Sequence, residues 1–297
     1  LRETKPRPIR SMRKILVIGA DGQLGFDVMR AFGQGAIGLT HREIEVRDQR
    51  SVQRALQEYK PDAVIHTAAL TDSEKCEREA DLCFSVNAMG AWNVAKAAAE
   101  VGSTVVFISS DYVFDGRKDA FSEEDAPHPL NVYGVSKLAA EYLVQIAAPK
   151  YYIIRSSWFF GQNVPHKGYD FPRLMLKLAQ EQSQVRVVAD QFGSPTYTRD
   201  LALKIKELID RSVPYGVYHV TNQGSCSWYE LAKKVFEIFQ IKTELVPIST
   251  LESPSKIKRP RSSILENARL QQLNIELLRP WQEALADYAK EIQVYSS

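Results

Sequence analysis

The chain has 297 residues, of which 44% are hydrophobic and 25% charged, a composition typical of a globular protein with a sizeable core. Its 38 basic and 36 acidic residues leave a formal charge of +2, so nothing in the charge balance indicates nucleic acid or a membrane surface as a partner. The sparse, odd set of cysteines (Cys76, Cys83 and Cys226) has no CxxC pair, which argues against a disulfide framework and a structural zinc site. No apolar run approaches the ~20 residues of a membrane helix, and we expect a cytoplasmic protein.

Short apolar runs alternate with amphipathic segments along the first half of the chain. Residues 1–12 are basic and proline-containing, and we interpret them as a disordered extension or a tag remnant. The spacing of apolar residues predicts strands over residues 14–18, 36–40, 63–66, 104–108, 151–155 and 216–220. It predicts helices over residues 23–32, 51–59, 81–100, 133–147 and 172–182, and two helical stretches after residue 227 around a loop at residues 253–263.

This alternation predicts βαβ units and an α/β fold, a Rossmann-like doubly wound parallel sheet. The regularity weakens after residue 155. We therefore assign residues 13–155 to an NAD(P)-binding domain, to which the strand at residues 216–220 returns. Residues 156–297 are expected to form mainly a smaller, irregular C-terminal substrate-binding domain.

A glycine-rich turn follows the first predicted strand directly, with the pattern G-x-x-G-x-x-G at Gly19, Gly22 and Gly25. Glycines at these positions let the backbone approach a pyrophosphate, and the helix that follows offers its unpaired N–H groups to the phosphates. A plain βα turn is the competing interpretation, but the strand–turn–helix context favours a dinucleotide site. The cofactor-binding residues predicted here are Gly19, Asp21, Gly22, Gln23, Leu24 and Gly25.

The end of the second strand bears on the choice between NADPH and NADH. It carries Thr40 and Arg42, with no acidic residue at its tip to bind a ribose 2′-hydroxyl. Arg42 could hold a 2′-phosphate, so NADPH is the predicted cofactor. Glu43 and Glu45 lie close by, and a small shift of the strand end would favour NADH instead.

Tyr133 and Lys137 form a Y-x-x-x-K pair, which places both side chains on one face of a helix. An unperturbed tyrosine has a pKa of about 10, and we expect the lysine ammonium to lower it so that the tyrosine can exchange a proton with a carbonyl oxygen. Ser110 ends the fourth predicted strand, at the sheet edge where ligands bind, and could hydrogen-bond the same oxygen. Ser110, Tyr133 and Lys137 are therefore the predicted catalytic residues.

With these features the sequence resembles the extended short-chain dehydrogenase/reductase family, and within it the dTDP-4-dehydrorhamnose reductases, over nearly the whole chain. The most specific blocks are SSDYVFDG at residues 109–116, PLNVYG at 129–134, RSSW at 155–158, DQFGSPT at 190–196 and RP at 259–260. The resemblance implies further cofactor-binding residues: Asp48 at the adenine, Ala68, Ala69 and Asn87, with Tyr133 and with Lys137 as ribose anchor. It implies a substrate pocket formed by Thr71, Asp111, Tyr112, Trp158 and Arg259.

The implied activity is NAD(P)H-dependent reduction of the C4 ketone of a dTDP-linked keto sugar, giving dTDP-L-rhamnose for polysaccharide biosynthesis. Dehydratases of the family typically carry a glutamate after the Ser/Thr–Asp step, whereas Tyr112 follows Asp111 here. Two alternatives stay open: a reductase of another nucleotide-linked 4-keto sugar, and a regulatory subunit of the same fold without turnover. No metal is expected, because no HxxE, HxH or carboxylate cluster is present. Members of the family are often dimers, so a homodimer is a further hypothesis.

Overall fold

A six-stranded parallel sheet lies at the centre of the computed structural model, which describes residues 13–164 and 168–294 of the chain. The extension predicted over residues 1–12 lies outside the described residues. Within the described part, no helix combines the length and the apolar character needed to cross a membrane.

The strands and helices follow in chain order. The strands are β1 (Ile15–Ile18), β2 (Ala36–Leu39), β3 (Ala63–His66), β4 (Thr104–Ser110), β5 (Ala120–Phe121), β6 (Tyr151–Ser156), β7 (Phe159–Phe160), β8 (Gln184–Val188), β9 (Phe192–Gly193), β10 (Thr196–Tyr197), β11 (Gly216–His219), β12 (Asn222–Gln223), β13 (Cys226–Ser227), β14 (Glu244–Ile248), β15 (Ile264–Leu265) and β16 (Leu278–Pro280). The helices are α1 (Gln23–Phe32), α2 (Gln49–Tyr59), α3 (Ser73–Arg78), α4 (Ala80–Phe84), α5 (Gly90–Glu100), α6 (Val132–Ala147), α7 (Phe171–Glu181), α8 (Thr198–Arg211), α9 (Trp228–Ile238), α10 (Ala268–Gln272) and α11 (Trp281–Val294). A π-helical segment, Ser85–Met89, joins α4 to α5, and short 3₁₀ turns lie at Gly33–Gly35, Asp111–Val113 and Thr250–Glu252.

The central sheet has the order β2-β1-β3-β4-β6-β11, with every neighbouring pair parallel. The chain therefore reverses its direction of winding between β1 and β3, which is the switch point of a doubly wound fold. The predicted α/β fold class is confirmed. Strand β11 adds to the edge of the sheet beside β6, with Gly216 opposite Tyr152.

Both faces of the sheet are covered by helices. Alternate residues of β1 point to opposite faces, so Ile15 and Val17 pack with α1 and α8, whereas Leu16 and Ile18 pack with α2, α5 and α6. All these strand side chains are fully buried. This two-sided burial explains why β1 is a continuous apolar run rather than an alternating one.

The C-terminal part has a core of its own. Helices α7, α9 and α11 enclose it with the parallel pair β8 and β14, around Tyr197, Trp281 and Tyr288. Helix α8 was not predicted from the sequence. It packs against α1 on the central sheet, so residues after 155 contribute to both parts of the molecule.

The architecture brings four strand ends to one edge of the sheet. Strands β1, β3, β4 and β6 end there at Ile18, His66, Ser110 and Ser156. The carboxyl edge of a parallel sheet is where ligands bind in open α/β folds. The residues beyond these strand ends are therefore the ones from which a site can be assembled.

Candidate active site

The glycine turn after β1 is held close to the end of β3. Gly19 has a positive φ of 87°, and a Cβ there would lie 2.8 Å from both the amide nitrogen of Ala68 and the hydroxyl of Thr67. A Cβ on Gly25 would lie 2.0 Å from the carbonyl oxygen of Gly19. Both positions require glycine, because neighbouring atoms already occupy the place where a Cβ would lie.

Helix α1 begins immediately after this turn, with Gly22 as an N-cap that has no side chain to satisfy the first N–H groups. The side chain of Gln23 donates to Asp170 Oδ2 at 3.1 Å, and the Leu24 side chain is buried in the core under the sheet. Gln23 and Leu24 therefore present mainly backbone to a ligand. This end of the helix fits an anion such as a pyrophosphate.

Arg42 lies just beyond β2, on the exposed side of the turn. Its backbone N–H donates to the Thr40 hydroxyl at 3.3 Å, and its guanidinium forms no hydrogen bond or ion pair within the described part of the chain. Glu43 accepts a hydrogen bond from Thr40 N at 2.7 Å, and Glu45 pairs with Arg47. The cation at the strand tip is thus available, while the neighbouring carboxylates are engaged.

Asp48, predicted at the adenine, caps helix α2. Its carboxylate accepts from Arg50 N at 2.9 Å, which is an ordinary N-cap bond. Sequence pattern alone does not separate a capping aspartate from a ligand contact. The adenine contact stays a prediction.

The loop after β3 carries the partly exposed Ala68 and Ala69 and is tied to the helices by Asn87. The buried Asn87 amide accepts from Leu70 N at 2.7 Å and donates to Leu70 O at 3.1 Å and to Ser136 Oγ at 3.0 Å. Asn87 lies in the π-helical segment, a distortion that is frequent near functional sites. The Asn87 side chain is hydrogen-bonded to Leu70 and Ser136, and through these bonds it orders the loop that carries Ala68 and Ala69.

Helix α6 carries Tyr133 in its first turn, and the sequence explains why it begins there. Asn131 is the N-cap, and its side chain accepts from Gly134 N at 2.8 Å. A Cβ on Gly134 would lie 2.1 Å from the Tyr112 carbonyl oxygen, so this glycine allows the helix start to approach the end of β4. The close approach sets Tyr133 beside the residues that follow β4.

Ser110 and Tyr133 face each other across this contact. The buried Ser110 hydroxyl donates to Asp111 Oδ1 at 2.9 Å and accepts from Tyr112 N at 3.2 Å. Burial raises the pKa of Tyr133, and the neighbouring Ser110 side chain opposes that rise. The net direction of the Tyr133 pKa is set by burial of the phenol, and the lowering by Lys137 stays a prediction.

Lys137 lies one turn further along α6 and is almost fully buried. Its ammonium sits 4.3 Å from the centre of the Phe107 ring, a cation–π contact. Burial lowers its pKa to about 8, partly offset by the nearby Glu141 charge. The buried Lys137 ammonium therefore titrates near pH 8.

Asp111, Tyr112 and Arg259 complete this cluster. Burial raises the pKa of the Asp111 carboxyl to about 6, with hydrogen bonds from its neighbours opposing. Burial also raises the pKa of Tyr112 to about 12, while the positive charge of Arg259 beside it opposes the rise. The rings of Tyr112 and Tyr133 meet edge to face at 5.9 Å.

Two predicted pocket residues lie apart from these contacts. Trp158 has a left-handed backbone (φ 49°), and its ring stacks on Trp228 at 3.4 Å between centroids. Gly193 closes on the same ring, since a Cβ there would lie 2.4 Å from it. Thr71 is exposed in the loop between β3 and α3. The structure therefore brings together Ser110, Asp111, Tyr112, Tyr133 and Arg259, with Lys137 below them.

A buried ion pair behind the site escaped the sequence analysis. Glu141 accepts from Arg155 Nε at 2.9 Å and Nη2 at 2.7 Å, and from the Ser109 hydroxyl at 2.5 Å. It joins α6 to the ends of β6 and β4. The spacing of Glu141 four residues after Lys137 was the available signal. Among the described residues, no group of three or more histidines, cysteines or carboxylates could hold a metal ion.

Comparison with known proteins yields one consistent set of relatives. The family model described as RmlD substrate binding domain matches residues 12–294. The spore coat polysaccharide biosynthesis protein SpsK of Bacillus subtilis is 40% identical over 94% of this chain and 98% of its own. The dTDP-4-dehydrorhamnose reductase of Aggregatibacter actinomycetemcomitans is 35% identical over 96% of this chain and 100% of its own. The crystal structure of the Bacillus anthracis dTDP-4-dehydrorhamnose reductase in complex with NADP superposes with a TM-score of 0.90, at 38% identity over 94% of this chain and 99% of that one.

Proposed function

The chain belongs to the RmlD substrate-binding-domain family of short-chain reductases, and from that premise we propose that it reduces the C4 ketone of dTDP-4-dehydro-L-rhamnose to dTDP-L-rhamnose with NADPH. The observation that carries this is the cluster of Ser110, Tyr133 and Lys137 at the carboxyl edge of the sheet, beside the glycine turn. A place in polysaccharide biosynthesis agrees with the name of the SpsK relative.

The residues at the glycine turn fit a dinucleotide. The tight turn at Gly19 and Gly25, where neighbouring atoms exclude a Cβ, and the uncapped start of α1 suit the close approach of a pyrophosphate. The guanidinium of Arg42, which has no partner among residues 13–164 and 168–294, fits a 2′-phosphate and supports NADPH, and the Bacillus anthracis relative binds NADP. NADH stays an alternative. When bound, the nicotinamide supplies the hydride.

Tyr133 is the proton donor in this proposal. Because burial raises its pKa, the phenol stays protonated at neutral pH and is ready to give its proton to O4 of the sugar. Ser110 is positioned by its bonds to Asp111 and Tyr112 N, and its hydroxyl proton, donated to Asp111 Oδ1 in this structure, would turn to the same sugar oxygen when the substrate binds.

Lys137 supports this transfer. Its buried ammonium offsets the negative charge left on Tyr133 after the proton moves. It is also the residue we assign to the nicotinamide ribose. Because the Lys137 pKa is about 8, the charge of the site changes with pH in the range around pH 8.

We assign the remaining residues by their position. Asp48, Ala68, Ala69 and Asn87 belong to the cofactor side, as part of residues 13–155 together with β11. Asp111, Tyr112, Trp158, Arg259 and Thr71 belong to the substrate side, with residues 156–297 forming most of that domain. The contact of Arg259 with Tyr112 supports a role at the sugar nucleotide, whose phosphates need a cation.

A homodimer and a cytoplasmic location complete the proposal. Val135, Tyr142 and Ile146 are apolar, exposed and on one face of α6, which supports burial against a second copy. Ile146→Glu is expected to yield a monomer by light scattering, and an unchanged mass would remove this face as the interface. The cysteines are free thiols, in keeping with a reducing compartment.

The function is tested by incubating the purified protein with dTDP-4-dehydro-L-rhamnose and NADPH. We expect loss of NADPH absorbance with formation of one sugar nucleotide, identified by NMR as dTDP-L-rhamnose. A parallel reaction with NADH decides the cofactor. NADPH binding without turnover would instead point to another nucleotide-linked 4-keto sugar or to a regulatory subunit.

A further inference from the structure

The glycine turn is contacted by a loop from the C-terminal part of the chain. Asn163 donates from its side-chain amide to the carbonyl oxygen of Asp21 at 2.8 Å and, at 3.4 Å, to that of Gly22. These residues are about 140 positions apart in sequence. Neither hydrogen bond belongs to the central sheet, and neither residue pair lies in the two hydrophobic cores that flank the sheet.

The loop that carries Asn163 is itself fixed by a buried carboxylate. Asp170, only 1% exposed, accepts from Gly161 N at 3.3 Å and from Arg173 Nη1 at 2.9 Å. Arg173 in turn donates to the carbonyl oxygens of Gly161 at 2.8 Å and Gln162 at 2.6 Å. Since the backbone of the two preceding residues, Gly161 and Gln162, is held, the Asn163 amide is presented from a defined position.

The same carboxylate reaches the first residue of α1. Gln23 Nε2 donates to Asp170 Oδ2 at 3.1 Å, and the Tyr288 hydroxyl donates to it at 3.0 Å. One turn later, Thr198 donates to Asp27 at 2.6 Å. The C-terminal part thus holds the glycine turn and the start of α1 at successive points.

These bonds bear on the groups that would face a pyrophosphate. In a trans peptide the C=O and the N–H point in opposite directions, so fixing one fixes the other. Gly22 N already donates to Gly19 O at 3.0 Å, whereas Gln23 N–H, the first of the helix, has no acceptor within the described part of the chain. The 2.8 Å bond from Asn163 to the Asp21 carbonyl therefore holds the Asp21–Gly22 peptide, and with it the shape of the turn from which Gln23 N–H points out of the helix. The Gly22 carbonyl, in the same peptide as Gln23 N–H, accepts from Phe26 N at 3.0 Å as well as from Asn163 at 3.4 Å.

We propose that Asn163 is a positioning residue for the dinucleotide, by which the C-terminal part sets the affinity of the glycine turn. In this role Asn163 acts through the backbone of the turn and does not itself contact the cofactor. The inference rests on the proposed function for the identity of the dinucleotide. Its consequence is that part of the cofactor affinity resides outside the nucleotide-binding half of the chain.

The test compares Asn163→Ala with Gln162→Ala. Gln162 is the adjacent amide in the same loop, but its side chain accepts from Arg30 on the outside of α1 and not from the turn. NADPH dissociation constants are measured by calorimetry on the full chain, without sugar, and thermal midpoints report folding. We expect Asn163→Ala to raise the constant about tenfold, the loss of roughly one hydrogen bond, with kcat at saturating NADPH unchanged. Gln162→Ala is expected to stay within about twofold of the unsubstituted protein.

Asn163→Asp keeps the shape but cannot donate to the carbonyls, so it should weaken NADPH binding at least as much. Equal NADPH affinity in Asn163→Ala and the unsubstituted protein would overturn the proposal, as would equal weakening in Gln162→Ala. So would failure of the unsubstituted protein to bind either dinucleotide. If that protein binds NADPH but does not reduce dTDP-4-dehydro-L-rhamnose, the proposed function fails, while the ratio of dissociation constants still decides the role of Asn163.

Discussion

The ion pair between Glu141 and Arg155 makes the most quantitative prediction about stability. The two side chains are 1% and 5% exposed, and their closest atoms are 2.7 Å apart. Glu141→Gln removes the charge that compensates the Arg155 guanidinium, whose Nη1 is buried without a partner among the described residues. Leaving one charge of a buried pair uncompensated costs about 3–5 kcal/mol of unfolding free energy. That is a large part of the roughly 5–15 kcal/mol typical of a domain.

Urea denaturation measures this loss directly. The slope against urea should be unchanged, because the surface exposed on unfolding is the same, while the midpoint falls. The double variant Glu141→Leu with Arg155→Met removes both charges and should be less destabilised than Glu141→Gln alone. Glu181→Gln is the matched control, since Glu181 pairs with Lys177 in the open, where both side chains are more than half exposed.

A loss below about 1 kcal/mol for Glu141→Gln, the range of an exposed pair, would contradict this prediction. An equal loss for Glu181→Gln would contradict it as well. Either result would mean that water reaches the pair and screens it. The buried pair would then have no special part in holding α6 against β4 and β6.

Two further predictions concern the site. The Lys137 ammonium loses its proton as the pH rises through about 8, so kcat/KM should fall on the alkaline side near pH 8 rather than near 10.5. Because the Glu141 charge raises the Lys137 pKa, Glu141→Gln should move that fall to lower pH. A kcat/KM profile that is flat to about pH 10 would contradict this prediction. Gly25→Ala places a methyl group 2.0 Å from the Gly19 carbonyl oxygen, so calorimetric NADPH binding should be lost or weakened at least tenfold. Gly33→Ala has open space around the new Cβ but a positive φ of 54°, so it should lower the thermal midpoint and leave NADPH binding normal.

The sequence predicts those elements whose residue pattern is local. An apolar run, three spaced glycines and a helical pattern predict β1, the turn at Gly19 and α1, because each feature lies within a few residues of the next. The same holds for Tyr133 and Lys137 on α6. Pairing between distant strands has no such signal, so the parallel pair β8 and β14, about 60 residues apart, went unpredicted.

Helix α8 went unpredicted although its apolar residues Leu201, Ile205 and Leu208 have helical spacing. Other features needed the structure for physical reasons. The direction of the Tyr133 pKa shift depends on how deeply the phenol is buried, which the sequence does not give. The stacking of Trp158 on Trp228 depends on a left-handed backbone that sequence alone does not reveal for tryptophan.

Tyr133 is expected to give a proton to a sugar ketone in an NADPH-dependent reduction. Turnover of dTDP-4-dehydro-L-rhamnose by Tyr133→Phe tests it most directly, with NADPH binding measured on the same sample and Tyr112→Phe as the neighbouring control. We expect kcat to fall by roughly 10²–10⁴-fold in Tyr133→Phe, with NADPH binding retained and a smaller loss in Tyr112→Phe. A Tyr133→Phe protein that turns over at the unsubstituted rate would contradict the account.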